Sequence, residues 1–187
     1  MEGESQAAMI VGLVSNTNGR SDAMAAAVAA LRDRGADLIV HCGDVGGRQV
    51  LDEMAKMDAA FVWGDRDTDR MGLLRHARQA NVVCFGVLGE LDLDGKRAVL
   101  VHGDDKNLIR RLLDEQQYDY LFCGHDPAGE DRRVGRTRVV NPGELQGGPS
   151  QNCAVLSTTS DEVKFFTLNR DPAADPANPP EAGKQAG

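Results

Sequence analysis

Short, almost unbroken apolar runs alternate with amphipathic stretches through the first third of the chain. Residues 9–15 (MIVGLVS) read as a strand buried on both faces. Residues 21–35 (SDAMAAAVAALRDRG) are rich in helix formers, with Ser21 placed to cap the helix and Gly35 to stop it. ADLIVHCGD reads as a second buried strand, RQVLDEMAKM as a short amphipathic helix and AAFVWGD as a third strand. This β-α-β-α-β order predicts a parallel sheet covered by helices.

The pattern then changes. In NVVCFGVLGELDLDGKRAVLVHG the turn signal Asp94-Gly95 separates two alternating runs and predicts a hairpin. DKNLIRRLLDEQQ reads as a helix and YDYLFCGH as another buried strand. EDRRVGRTRVVNPG and NCAVLSTTSDEVKFFTLN each read as two strands around a turn. The expected architecture is α/β, with two mixed β-sheets packed face to face and helices outside. Residues 9–168 form the expected single domain. Residues 1–8 are expected to fray, and residues 169–187, which hold four of the seven prolines, read as a disordered tail.

Composition narrows the function. The chain has 187 residues, with 21 Lys and Arg against 29 Asp and Glu, a formal net charge of −8. Such a surface repels phosphate backbones and argues against non-specific nucleic-acid binding. Aromatic residues are only 4%, which leaves no hint of a base-stacking surface. No apolar run approaches the ~20 residues of a membrane span. Cys42, Cys84, Cys123 and Cys153 lie far apart and read as reduced core thiols of a cytoplasmic protein. Neither a Walker phosphate loop nor a dinucleotide glycine fingerprint is present.

The chemistry collects in five loops. Each main apolar strand ends in a segment carrying Asx, His or Gly: SNTNG, CGDVGG, WGDRDTD, VHGDD and CGHDP. In α/β sheets, ligands bind where the loops at the carboxyl ends of strands converge. One such loop is ordinary turn chemistry; five in equivalent positions form a pattern.

On HCGDVGG, VWGDRD, LVHGD, FCGHD and VVNPGE, the chain resembles the calcineurin-like metallophosphoesterase superfamily, and most of all its small single-domain phosphodiesterases from bacteria and archaea. The resemblance implies a four-layer αββα sandwich and a two-metal site. Asp44 matches the carboxylate that bridges the two metals, and His102 and His125 match histidines of the second. Asp65 stands where the family usually carries Asn. The departures fall elsewhere: the family's first Asp and His are here Asn16 and Asn18, and the last His of its Gly-His-x-His motif is Pro127. Amide oxygens are weak ligands and Pro has no side-chain donor. The resemblance therefore implies one divalent transition metal (Mn, Zn or Fe) at Asp44, Asp65, His102 and His125, and a second that is weak or absent. Asp67, Asp104 and Asp126 lie in the same loops and offer a way to rebuild part of the lost site.

Other residues follow from this frame. Asn16 and Asn18 are expected to donate hydrogen bonds to phosphoryl oxygens, and Asp44, Asn16, Asn18 and Arg66 form the expected catalytic set. Arg66 either holds a phosphate bidentately or is a surface arginine paired with Asp67 or Asp69. His41 reads as a satisfied core histidine, His76 as a surface residue and Asn141 as support for a turn. The expected function is hydrolysis of a small phosphate ester; the alternative is an inactive member of the fold that binds a partner, as the retromer subunit of this fold does.

Overall fold

Alternation along single strands sets the layers. The computed structural model describes residues 9–146 and 151–168. The frayed start and the disordered tail expected from the sequence lie outside those residues. The chain runs β1 (Ile10–Val14), α1 (Ser21–Asp33), β2 (Leu38–His41), α2 (Arg48–Met54), β3 (Asp58–Phe61), α3 (Arg70–Gln79) and β4 (Val83–Cys84). It continues through β5 (Leu88–Leu93), β6 (Lys96–Val101), α4 (Lys106–Asp114), β7 (Tyr120–Phe122), β8 (Glu130–Val134), β9 (Thr137–Asn141), β10 (Gln151–Ser157) and β11 (Glu162–Leu168).

One sheet has the order β11-β10-β1-β2-β3-β4 and the other β5-β6-β7-β9-β8. Both are mixed. β1, β2, β3 and β4 are parallel neighbours, while β10 joins β1 antiparallel. β7 lies parallel to β6 and β9, with β5 and β8 as antiparallel edges.

Side chains sort into three buried layers. In β1, Val11 and Leu13 face the second sheet, while Val14 faces the helices. In β6, Ala98 and Leu100 meet the first sheet across the middle of the molecule, and Val99 and Val101 pack beneath Leu112 and Leu113 of α4. Helices α1, α2 and α3 cover the outer face of the first sheet through residues such as Met24, Leu31, Leu51 and Leu73. The result is the four-layer α/β/β/α sandwich.

Two local expectations are corrected. Ser21 is the first residue of α1 and not its cap; Arg20 holds the cap position and no side chain caps it. The segment before the Asp94-Gly95 hairpin does not join that hairpin's sheet. Val83–Cys84 pairs with β3 at the edge of the first sheet, and only β5 and β6 form the hairpin. At its tip Asp94 and Gly95 both take positive φ (55° and 80°), as the turn signal demands.

Candidate metal centre

The loops that follow β1, β2, β3, β6 and β7 meet at one end of the two sheets. They are stitched together by main-chain hydrogen bonds: Asn16 N–H donates to Gly43 O at 3.1 Å, Asn18 N–H to Asp44 O at 2.9 Å and Gly124 N–H to His102 O at 2.7 Å. Four residues of this end, Asn16 (φ 54°), Asn18 (45°), Asp44 (58°) and His125 (64°), hold left-handed backbone conformations. Each such residue costs roughly 1–3 kcal/mol unless the surroundings enforce it, and their concentration here marks a site built against local preference.

His102 is buried. Its Nδ1 lies 2.8 Å from the main-chain oxygen of Cys42. A carbonyl only accepts, so Nδ1 carries the hydrogen, and in the neutral ring the Nε2 lone pair faces outward. Nε2 lies 3.0 Å from Asp65 Oδ1, within hydrogen-bond distance, and 3.6 Å from Asp44 Oδ2. His125 Nδ1 lies 3.4 Å from the same Asp65 oxygen, and the two imidazoles stand edge to face with centroids 5.2 Å apart. Donor atoms of Asp65, His102 and His125 all fall within 4.8 Å of one another. Two imidazole nitrogens and carboxylate oxygens are a donor set that suits a divalent transition ion.

The carboxylates are tuned differently. Burial raises the pKa of Asp44, an effect partly offset by the Arg66 N–H, which donates to its Oδ1 at 2.9 Å, and by His102. Asp65 is more exposed. Burial pushes its carboxyl up, but a main-chain hydrogen bond and the two imidazoles outweigh this and hold it below its ordinary value. Gly64 is required between them: a Cβ there would lie 2.0 Å from Asp44 Oδ1 and 2.4 Å from the Asp44 nitrogen.

Beside Asp44 and His125 lies a cavity of about 130 Å³, lined also by Asn16, Arg66, Pro127 and Glu144. Asn16 is buried and its Oδ1 accepts from Ser15 Oγ at 3.2 Å. The Asn18 amide donates to Gln146 Oε1, so that group is engaged within the protein and not held ready for an external oxygen. Arg66 pairs with neither Asp67 nor Asp69. Its Nη1 donates to Gln146 Oε1 at 3.0 Å and its Nε lies 3.9 Å from Asp44 Oδ2, which places a cation against the cavity.

Of the three carboxylates that offered a rebuilt site, none joins the cluster. Asp67 is buried and its oxygens accept from the N–H groups of Val45, Gly46 and Gly64. It ties the loop after β2 to the loop after β3. Asp126 accepts from Ala128 N–H in an exposed turn, and Asp104 is exposed. His41 is buried as expected: Gly43 N–H donates to its Nδ1 at 3.2 Å, so Nε2 carries the hydrogen that meets Thr17 Oγ1 at 2.9 Å. His76 is more than a surface residue, since its Nε2 lies 2.7 Å from Asp52 and joins α3 to α2. Asn141 supports its turn, accepting from Gly143 N–H at 2.9 Å and donating to Asp126 O at 2.9 Å. Gln146 escapes sequence reasoning, and Glu144 stands in the VVNPGE motif with no role read from it. Their loop is tied to the site by long-range bonds with no local signal, among them Leu145 N–H to Ser15 O at 3.0 Å and Arg20 Nη1 to Gln146 O at 3.1 Å.

Comparison with known proteins bears on this arrangement. The family model described as the calcineurin-like phosphoesterase superfamily domain matches residues 9–162. The phosphodiesterase MJ0936 of Methanocaldococcus jannaschii is 23% identical over 169 residues, which cover 86% of this chain and 99% of that protein. A solved archaeal phosphodiesterase superposes with a TM-score of 0.80 at 21% identity, covering 86% of this chain and 100% of its own. Vacuolar protein sorting 29 from Cryptosporidium parvum superposes with a TM-score of 0.55 at 16% identity, covering 87% and 99%. These two structures share the fold.

Proposed function

The chain belongs to the calcineurin-like phosphoesterase superfamily, and from that membership we propose that it hydrolyses a small phosphate ester with a single divalent transition metal, Mn, Zn or Fe, held by Asp44, Asp65, His102 and His125. The observation that carries the reading is the orientation of His102. Its Nδ1 hydrogen is committed to Cys42 O, so Nε2 is presented to Asp65 and Asp44. No comparable set gathers around the positions of Asn16, Asn18 and Pro127, where the first metal of the family would sit; among the described residues, Asp65, His102 and His125 are the cluster with metal-binding spacing.

When bound, the metal supplies Lewis acidity toward a phosphoryl oxygen and lowers the pKa of water. The protein's own groups do the rest. The cavity beside Asp44 has room for a phosphoryl group and little more. Asn16, with its oxygen satisfied by Ser15, presents its NH₂ to a phosphoryl oxygen. Arg66 places a permanent cation at the mouth, where it offsets charge that the missing second metal would otherwise have met. An arginine is no general acid, so the leaving group must be weakly basic or take its proton from water. Four free thiols fit a reducing, cytoplasmic setting.

A second reading is favoured by Asn18, Gln146 and Pro127: a site plugged by internal hydrogen bonds where the family has ligands suits binding without turnover. One experiment separates the two. Metal per chain is measured by elemental analysis, alongside hydrolysis of bis(4-nitrophenyl) phosphate with Mn, Zn or Fe. One metal with turnover that vanishes in Asp44→Ala supports hydrolysis. One metal without turnover supports the binding protein. No metal uptake overturns the hydrolase and leaves the binding protein.

A further inference from the structure

Arg66 is a wall shared by two adjoining spaces. On one side is the small cavity at Asp44 and His125; on the other is a groove of about 330 Å³ lined by Gly47, Arg48, Gln49, Thr68, Asp69 and Arg66 itself. The groove reaches the lower end of the size range of small-molecule pockets. It lies between the loop after β2 and the loop after β3, at the same end of the sheet as the metal cluster.

Three features of the groove point to a ligand. Its two walls each carry a guanidinium, Arg48 and Arg66, on a protein whose net charge is −8. Arg48 is held only loosely: its ion pair with Asp69 is 3.4 Å long and both side chains are more than half exposed, so an incoming anion displaces it at little cost. Asp67 repels no anion here, because its carboxylate is turned inward onto three main-chain N–H groups. The third feature is Gly47. Its φ of −173° is open to any residue, and a Cβ would meet only Gly19 Cα at 3.5 Å and Gln49 Oε1 at 3.6 Å. The fold does not demand glycine there; the bare main chain keeps the groove open.

We propose that this groove takes the alcohol half of the substrate and that Arg48 selects esters whose alcohol carries a second anionic group, a phosphate or carboxylate a few bonds from the first. The proposal rests on the reading that the first phosphate binds beside Asp44 and His125. Arg66, touching both spaces, faces both anions, and Arg48 faces the second alone.

The test is calorimetric titration of the metal-loaded protein with propane-1,3-diol monophosphate and with the corresponding bisphosphate. The bisphosphate is expected to bind at least tenfold more tightly. Arg48→Ala and, separately, Gly47→Val, which fills the floor, are each expected to bring the ratio of the two affinities to within twofold of one, with metal per chain still at the wild-type value. Equal binding of the two compounds by the wild type, or a preference that survives both variants, overturns the proposal. A monophosphate that does not bind the wild type at all overturns the underlying phosphate site, and this proposal with it.

Discussion

The carboxylate of Asp67 accepts a 2.8 Å hydrogen bond from Gly46 N–H, across a sequence separation of 21 residues. The same side chain accepts from Gly64 N–H at 2.8 Å and from Val45 N–H at 3.2 Å, and it is only 3% exposed. The loop that presents Asp44 and the loop that presents Asp65 are thus fastened to one buried charge. Asp67→Ala takes the acceptor from three N–H groups, two of them buried (Val45 and Gly64) and one, Gly46, open to water. At roughly 1–3 kcal/mol for each buried group, discounted because the loops will relax, the loss is expected to be about 3 kcal/mol. Denaturant unfolding measures it. Metal affinity should fall together with stability, and Asp67→Asn, which keeps one acceptor oxygen, should recover part of both. Full metal affinity in the alanine variant would show that the two loops hold their positions without it.

His41 gives the protein a pH dependence of its own. Burial pulls its pKa from an ordinary 6.5 to about 4; Asp67 works against this and His102 with it. Between pH 6.5 and pH 4 the unfolded chain binds a proton that the folded protein refuses. Stability contributed by the neutral ring is therefore complete above pH 6.5 and drains away as the pH falls toward 4. A gap of this size corresponds to about 3 kcal/mol at the acid end. Replacing His41 with Gln, which keeps a donor for Thr17 and an acceptor for Gly43, should flatten this part of the stability–pH curve even though the variant itself is less stable. An unchanged slope in that window would sink the assignment.

Much of this could be seen in the chain itself, and the reasons are local. Buried strands such as Leu38–His41 and Tyr120–Phe122 are unbroken apolar runs, the loops that follow them collect Asx and His, and the family resemblance is what singles out Asp44, Asp65, His102 and His125 among those residues. What was hidden is what distant segments do to each other. Whether Asp67 is a ligand or a clamp depends on three N–H groups, two of them more than 20 residues away. The two-residue strand Val83–Cys84 is too short for any periodicity, and its place in the first sheet is set by pairing with Ala60 and Phe61. Gln146 holds Asn18 and Arg66 from more than 75 residues away, and no spacing rule reaches that far.

Restoring the family's ligands tests the asymmetry of the site. Asn16→Asp, Asn18→His and Pro127→His together put back the three donors that the family resemblance implies, two of them at positions that line the cavity beside Asp44. The change must also break the Asn18–Gln146 hydrogen bond, and it sets a new ion against Arg66, whose Nε is 3.9 Å from Asp44. Adding Arg66→Asn removes that repulsion. The combined variant is expected to carry close to two metals per chain by elemental analysis, where one is proposed for the wild type, with tighter uptake when Arg66 is replaced than when it is kept. A content that stays at one would mean that these positions do not surround a metal site in this protein.

Gly64 offers the sharpest single substitution because the geometry leaves no room to accommodate it. A Cβ at this position lies 2.0 Å from Asp44 Oδ1, which a side-chain rotation could relieve, but also 2.4 Å from the Asp44 main-chain nitrogen, which no rotamer moves. Gly64→Ala must therefore push the loop after β2 away from the loop after β3. Asp44 already holds a left-handed conformation (φ 58°), so its loop has few alternatives. A forced main-chain shift of this kind costs about 2–4 kcal/mol. It also lengthens the Gly64 N–H bond to Asp67 and separates Asp44 from Asp65. The expected outcome is a folded protein of lower melting temperature whose metal affinity falls at least tenfold. By contrast, Gly95→Ala at the hairpin tip meets open space, so any cost there is backbone strain from its φ of 80°, with metal binding untouched. Equal metal affinities in the two variants would refute the close approach of the two loops.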